Sequence, residues 1–363
     1  MTSIDELFTP SLLVFEDRLE TNLQRMQSTC DEAGIDLRPH IKTHKLVPVA
    51  RRQIELGAKG LTCAKLGEAE AMLPSGVREI FVAHSLVDQR QAPRIAALAE
   101  QLDELRLATT SEAHLEALIP LIHQVGLNLP VMLAIDTGLN REGVRALESA
   151  QRMASKIDAE PLLELAGFYT HEGQFYGKDH SNRTTDVEAL LTHICTVRDA
   201  INPALPVWPG CSVSATAITQ QSNGRVQAVR PGAYVFGDLS LTQNADVMPW
   251  DHVALQVLAT VVDKPTSDLA LIDAGSKTFS SDRAREGISA LAADGRDIAV
   301  VAVNEEHGYV RGEDVAQLQV GERILFVPAH VCTVVNLADE VKVITTDQTI
   351  RTTWPIDARG KNQ

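Results

Sequence analysis

Residues 105–135 read LRLATTSEAHLEALIPLIHQVGLNLPVMLAI. Residues 105–108 have strand character. Ser111-Glu112-Ala113-His114-Leu115 then opens a helix, because a serine oxygen can accept from the free N–H groups of a first turn. Residues 130–135 form a second β-rich run. The same alternation extends outward in both directions. On the N-terminal side the strand candidates are 37–41, 60–63 and 79–83; on the C-terminal side they are 165–169, 206–209 and 228–235. Leu19, Leu23 and Met26 are spaced i, i+4, i+7 and mark a helix ahead of the first strand. Residues 186–201 mark another, with Val187, Leu190, Leu191, Ile194 and Val197 on one side. Eight strands separated by helices predict a parallel sheet closed into a (β/α)8 TIM-type barrel. The competing arrangement is an open doubly wound sheet. No G-x-G-x-x-G follows the first strand, which weakens its dinucleotide-binding form.

After about residue 245 the texture changes. Runs at 253–262, 269–273, 298–303, 323–327, 331–336, 341–345 and 349–352 are β-branched or alternating. Turn segments such as Ala293-Asp294-Gly295 and Val320-Gly321-Glu322 separate them. The expected organisation is a barrel over 11–245 and an antiparallel β domain over 246–363, with residues 1–10 packing on the latter.

The chain has 363 residues, of which 44% are apolar, enough for a large core. Thirty-three Lys and Arg against 48 Asp and Glu give a formal charge of −15. That balance excludes a general nucleic-acid or anionic-membrane binder. No apolar run approaches a membrane span, and the acidic start at Asp5 and Glu6 does not read as a secretory signal. Cys30, Cys63, Cys195, Cys211 and Cys332 are scattered and include no C-x-x-C pair, which fits a reducing cytoplasm better than a disulfide framework.

Four segments could carry chemistry. Arg38-Pro39-His40-Ile41-Lys42-Thr43-His44-Lys45 lies at the C-terminal end of the first barrel strand, where such barrels place their active sites. A lysine crowded by cations has its ammonium form disfavoured, so its amine becomes nucleophilic. Against this stands a solvated basic turn. Asp136-Thr137-Gly138-Leu139-Asn140-Arg141-Glu142-Gly143-Val144 follows the fifth strand, and Arg141 could donate to an oxyanion there. Gly210-Cys211-Ser212-Val213-Ser214-Ala215-Thr216 and Arg230-Pro231-Gly232-Ala233-Tyr234 follow strands seven and eight, the usual place for a phosphate, although helix capping alone would account for the hydroxyls. His330-Val331-Cys332, read as a strand, would put imidazole and thiolate on one face, a pairing that suits Zn2+ and leaves positions open for water or substrate. The ordinary alternative is a core cysteine beside a half-buried histidine. His171, and His307 in Glu305-Glu306-His307-Gly308, are further contributors.

Taken together, these motifs resemble the metal-dependent D-threonine aldolase and D-serine dehydratase family. The resemblance rests on residues 38–45, on Gly60-Leu61-Thr62-Cys63-Ala64-Lys65-Leu66-Gly67-Glu68-Ala69-Glu70, on 136–144, on Asp273-Ala274-Gly275, on 305–308 and on 330–332, in order along the chain. It implies a fold type III pyridoxal 5'-phosphate (PLP) enzyme with an alanine-racemase-like barrel and a C-terminal β domain. It implies Lys42 as the Schiff-base lysine, with Lys45 as the alternative, and Arg141 near the cofactor's phenolic oxygen. Tyr169 and His171 fall where the family contacts the pyridine ring. Ser212, Ser214, Gly232 and Tyr234 fall near its phosphate, although the serine-rich turn departs from the glycine-rich form common in the aldolases. His330 and Cys332 match the metal pair, and the thiolate favours Zn2+ over Mn2+. His40 and His307 are the further catalytic candidates. A homodimer is implied by resemblance alone.

The expected activity is lysis of a D-β-hydroxy-α-amino acid. Retro-aldol cleavage, as in a D-threonine aldolase, gives glycine and an aldehyde. Dehydration, as with D-serine or D-3-hydroxyaspartate, gives a 2-oxo acid and ammonia. The same residue types serve both. An amino acid racemase would need a second acid/base group that the sequence does not reveal, and non-catalytic PLP carriers lack a C-terminal β domain.

Overall fold

A computed structural model describes residues 3–177 and 180–363. The chain divides into two compact units. One takes in Arg25–Lys42, Val47–Gly232 and Lys361–Gln363; the other takes in Met1–Gln24, Thr43–Leu46 and Ala233–Gly360. In chain order the first elements are β1 (Ser11–Phe15), α1 (Glu16–Ala33), β2 (Asp36–Leu37), α2 (Val47–Leu56), β3 (Leu61–Cys63), α3 (Leu66–Met72), β4 (Glu79–Val82) and α4 (Ala92–Ala99). Then come β5 (Glu104–Thr109), α5 (Glu112–Val125), β6 (Leu129–Ala134), α6 (Leu147–Asp158), β7 (Leu163–Tyr169), α7 (Arg183–Asp199), β8 (Val207–Trp208), α8 (Ala215–Gln221) and β9 (Ala228–Val229).

The first unit is a closed parallel barrel. Strands β3 to β8 pair in sequence order, and β2 pairs in parallel with β9. Backbone bonds just past the short β2 join it to β3, Ile41 N–H to Thr62 O (2.9 Å) and Thr62 N–H to Pro39 O (2.9 Å). Gln227 N–H to Val207 O (3.3 Å) and Arg230 N–H to Pro209 O (3.1 Å) close the ring between β8 and β9. All eight predicted runs contain a strand, although β2 shares only Leu37 with the run 37–41 and β9 covers only the start of 228–235. Helix α5 shows the local signals at work: the Ser111 hydroxyl accepts from His114 N–H, Gly126 ends the helix at φ +73°, and Leu115, Leu118, Leu121 and Ile122 are buried. Each such buried leucine is worth about 1.5–3 kcal/mol.

Inside the barrel, Phe81, Met132, Tyr169 and Trp208 pack with Ala108, Ala134 and Ala228, large against small. Phe81 meets Tyr169 and Trp208 edge-on at 5.0 and 5.9 Å between centroids. Arg38 and Arg106 lie over Trp208 at 4.4 and 4.5 Å, their charges held by Glu79 and Glu104.

The second unit adds β10 (Leu255–Thr266), β11 (Leu269–Ile272), α9 (Ser276–Phe279), β12 (Ala290–Ala292), β13 (Ala299–Val303), β14 (Gly308–Arg311), β15 (Arg323–Pro328), α10 (Val331–Leu337), β16 (Glu340–Ile344) and β17 (Ile350–Pro355). The sheet order is β11-β14-β13-β12-β15-β10-β1-β16-β17, and β10 also pairs with β11. Six antiparallel strands therefore close a small barrel, and β1, β16 and β17 extend it from β10. The β1–β16 pair is parallel.

Three expectations need correcting. Ser11–Phe15 is a strand of the second unit, so the parallel barrel starts later than residue 11; Leu12, Leu13 and Val14 are buried between β10 and β16. The run 228–235 stops as a strand at Val229, and Ala233–Val235 is a single helical turn. Val331–Leu337 is a helix, not a strand: Val331, Val334 and Val335 are its buried face, spaced i, i+3, i+4. By contacts, residues up to Gln24 and from Ala233 onward group with the β unit. All five cysteines are free. No helix among the described residues is long and apolar enough to cross a membrane.

Candidate active site

Lys42 is half-buried in the turn past the C-terminal end of β2, and its backbone N–H points at His40 Nδ1 (3.4 Å). The expected crowd of cations around it is dispersed. Arg38 turns into the barrel onto Trp208 and Glu79. Lys45, the alternative nucleophile, is buried in the second unit and donates to Asn336 Oδ1 (2.8 Å) and Ala358 O (3.4 Å), which ties its amine to a structural task.

What faces Lys42 comes from other strands. His171, two residues past β7, donates from Nδ1 to Gly210 O (2.6 Å), leaving Nε2 as the open nitrogen. Burial pushes its imidazole down to about 3, and the charges of Lys42, Arg141 and Arg230 act the same way against the Gly210 hydrogen bond. His171 is therefore neutral near pH 7. Arg230 is buried; its guanidinium donates to Trp208 O (3.1 Å) and Thr170 O (2.5 Å) and lies 5.2 Å from the Tyr169 ring centroid. Burial pushes its basicity down. A Cβ at Gly210 would stand 2.8 Å from this guanidinium, so only glycine fits there. Tyr169 ends β7 with its ring buried; among the described residues its hydroxyl has no hydrogen-bond partner, and burial pushes its acidity further from neutrality.

The turn after β8 is built on Glu172. This buried carboxyl accepts from Ser214 Oγ (2.7 Å) and Gly210 N–H (3.2 Å), and burial pushes its pKa up. The Ser214 hydroxyl is thus turned onto Glu172. Ser212 Oγ accepts from Gly232 N–H (3.1 Å), tying the ends of β8 and β9 together. Arg141 is exposed on the 136–144 loop. Asp136 shapes that loop by accepting from Gly138 N–H (2.9 Å) and Asn140 N–H (3.1 Å). Tyr234 is buried and belongs to the second unit.

The second unit holds a separate polar centre. His330 caps α10 and Cys332 lies in its first turn, so the two converge by a cap and a turn, not by strand alternation. His330 Nδ1 donates to Asp238 Oδ2 (2.9 Å). The Cys332 thiolate, then Asp238, push the imidazole up to about 11 against its burial. Fully buried Asp238 also accepts from Val331 N–H (3.0 Å) and Leu241 N–H (3.0 Å). The Thr43 hydroxyl lies 3.1 Å from Cys332 Sγ. Among the described residues no group of three or more His, Cys, Asp and Glu side chains is gathered as a metal cage. His307 is exposed at the turn between β13 and β14, away from both His330 and Cys332 in sequence and paired to neither.

These surroundings fit the implied groups. The orphaned Tyr169 hydroxyl, the open Nε2 of neutral His171 and the cations Lys42, Arg141 and Arg230 suit an aromatic phosphate ester. His330, whose Nδ1 is held by a carboxylate, would offer Nε2 beside the Cys332 sulfur once a divalent ion displaced its second proton, a donor pair suited to a borderline-soft ion. Reading the residues alone pointed to Lys42, His171 and the His330–Cys332 pair. It did not single out Glu172 or Asp238, which act through other side chains and carry no motif of their own.

A closed parallel barrel with a lysine past the C-terminal end of a strand, followed by an antiparallel β unit, defines the alanine-racemase-like class of enzyme. The alanine racemase N-terminal domain matches residues 14–240, and a serine dehydratase domain matches 254–344. The chain belongs to this family, in its D-threonine aldolase and D-serine dehydratase branch of PLP-dependent lyases. It is 32% identical over 348 residues to the D-threo-3-hydroxyaspartate dehydratase of Delftia sp. (strain HT23), covering 90% of this chain and 91% of that one. The crystal structure of D-threonine aldolase from Filomicrobium marinum is similar with a TM-score of 0.88 at 26% identity, over 100% of this chain and 98% of that one. A metal-free D-threo-3-hydroxyaspartate dehydratase with one cysteine changed to alanine is similar with a TM-score of 0.87 at 28% identity, over 98% and 99%.

Proposed function

We propose that this protein is a PLP- and divalent-metal-dependent lyase of D-β-hydroxy-α-amino acids, acting as a D-threonine aldolase. The observation that carries the reading is a buried histidine past β7, kept neutral by burial and by the charge of Lys42, together with a buried tyrosine hydroxyl that has no hydrogen-bond partner among the described residues. When bound, PLP supplies an electron sink for charge developing at the substrate's Cα, and the metal supplies a Lewis acid for the β-oxygen.

The chain's own residues do the rest. Lys42 Nζ would hold the cofactor and, in the dehydratase alternative, would also take the proton from Cα. By resemblance, Arg141 would donate to the phenolic oxygen, and Tyr169 and His171 would lie against the ring. His171 stays neutral, so it adds no charge to the electron sink. Ser212, Ser214, Gly232 and Tyr234 would hold the phosphate, by resemblance. His330 Nε2 and Cys332 Sγ would hold the metal, Zn2+ by ligand softness and Mn2+ second. Removal of the β-hydroxyl proton needs a base, for which His40 and His307 are the candidates. A homodimer in the cytoplasm completes the reading.

The second reading is a dehydratase of D-serine or D-3-hydroxyaspartate. It is favoured by the His-x-Cys pair and by the 32% identity to a D-threo-3-hydroxyaspartate dehydratase. The experiment mixes protein, PLP and Zn2+ or Mn2+ with D-threonine and with D-serine, and measures glycine plus acetaldehyde against 2-oxo acid plus ammonia. Lys42→Ala should abolish both turnover and the Schiff-base absorbance of the holoenzyme. Cys332→Ala should abolish turnover while the absorbance stays. A holoenzyme absorbance independent of Lys42 would overturn the assignment; activity indifferent to chelation would remove the metal from it.

A further inference from the structure

Lys42 marks a boundary between the two units along the chain. It is the last residue of the stretch Arg25–Lys42 that groups with the parallel barrel, and Thr43–Leu46 groups with the β unit. On the barrel side, Ile41 N–H donates to Thr62 O (2.9 Å). On the other side, Thr43 and Lys45 turn polar groups onto α10 and the segment beyond it. The fully buried Thr43 hydroxyl meets Cys332 Sγ at 3.1 Å. Lys45 Nζ donates to Asn336 Oδ1 (2.8 Å), and Lys45 O accepts from Ala358 N–H (3.0 Å). Cys332 and Asn336 are spaced i, i+4 on α10 and so share one of its faces. Lys45 sits at φ +55°, a left-handed conformation that a lysine keeps only where its surroundings hold it.

This anchorage reaches both proposed cofactor positions. A sulfur bound to a divalent ion is a thiolate and has no proton to give, so the Thr43 hydroxyl must then donate to it. That bond orients one of the two proposed protein ligands, as hydrogen-bonding partners of metal ligands commonly do. The same residue is joined to Lys42 by a planar peptide bond that sets their Cα atoms about 3.8 Å apart. An ion that fixes Cys332 therefore fixes Thr43, and with it one end of the Lys42 backbone. A cofactor held on Lys42 fixes the same segment from the other end. Whichever ligand arrives second meets a segment already ordered, and a pre-organised site binds more tightly.

Resting on the lyase reading above, we propose that Thr43 is a positioning residue that couples the two cofactors: through its hydroxyl on Cys332 and its peptide bond to Lys42, PLP and the divalent ion each tighten the binding of the other. Lys45 anchors the same segment to the last turn of α10.

The test starts from the holoenzyme, stripped and reloaded with PLP, Zn2+ or both. Zn2+ affinity is measured by competition with a chromophoric chelator, with and without PLP. PLP affinity is measured from the Schiff-base absorbance, with and without Zn2+. In wild type each should bind about fivefold or more tightly in the presence of the other, by the same factor in both directions. Thr43→Val keeps the shape and removes the hydroxyl; it should bring that factor to about one while both ligands still bind. Thr43→Ser should keep the coupling. Independent binding in wild type would overturn the coupling and leave the lyase reading standing, whether or not any variant folds. Lower affinities in Thr43→Val with the mutual effect retained would make Thr43 merely structural and overturn its role. Absence of Zn2+ binding in wild type, or of an absorbance that depends on Lys42, would overturn the lyase reading and the coupling with it.

Discussion

Asp238 is fully buried, and its two oxygens accept from the His330 imidazole and from the N–H groups of Val331 and Leu241. Its carboxylate holds the Nδ1 proton of the His330 imidazolium, so Nε2 is the nitrogen that would give up its proton for the metal proposed there. Ligand histidines held this way typically lose 10–100-fold in metal affinity when the outer partner is changed. Asp238→Asn should weaken Zn2+ binding by about that factor, measured by competition with a chromophoric chelator. Unchanged affinity would show that the helix cap alone positions the imidazole. At this scale the sequence was uneven. Lys42, His171 and the His330–Cys332 pair stand out in the sequence as candidates, each beside an ordinary structural reading. Asp238 is 92 residues from its partner along the chain, and only folding brings them together. Lys45 shows the converse: it shares the basic cluster with Lys42, yet its amine is spent on Asn336 and Ala358.

Among the elements, α5 and α10 mark where local reading succeeds and where it fails. Helix α5 carries its own boundaries, Ser111 at one end and Gly126 in the left-handed region at the other. Removing the cap has a defined cost: Ser111→Ala should destabilise the protein by about 1 kcal/mol, seen as a lower urea midpoint at unchanged m-value. A shift in m-value instead would mean that α5 frays as a separate unit. Helix α10 has seven residues, rich in valine, and β-propensity argues for a strand. Burial of Val331, Val334 and Val335 on one face overrides that propensity, and the Asp238 carboxylate takes the Val331 N–H at its start. The strands missed by pattern, β1, β12 and β14, are five, three and four residues long. Too few side chains alternate in such runs to register a period. Their pairing is set by partners far away, β10 and β16 in the case of β1.

On the scale of the whole molecule, the eight-strand count pointed to closure, and the lack of a G-x-G-x-x-G after the first strand weakened the open doubly wound sheet, the other way to bury both faces of a parallel sheet. What no count reveals is the interior of the barrel, where guanidinium groups lie on aromatic rings and histidines are buried without charge. That interior makes stability depend on pH in a definite direction. His171 is depressed to about 3, and His84 and His114 are also lowered, each chiefly by burial. Below about pH 6.5 the unfolded chain binds protons that these folded imidazoles refuse, so their contribution to stability is full above that value and is lost as the pH falls. Buried Glu172 acts the other way, because its raised pKa lets the folded chain take up a proton first. Comparison with His171→Gln isolates one term, since both proteins keep Glu172, His84 and His114. Urea unfolding of the apoprotein from pH 7.5 down to 4.5 should show wild type losing stability faster than the variant. The gap should grow by about 1.4 kcal/mol per pH unit once the unfolded imidazole is protonated. Parallel curves would mean that His171 takes up its proton in the folded state, and the neutral imidazole on which the cofactor site is built would then have to be abandoned.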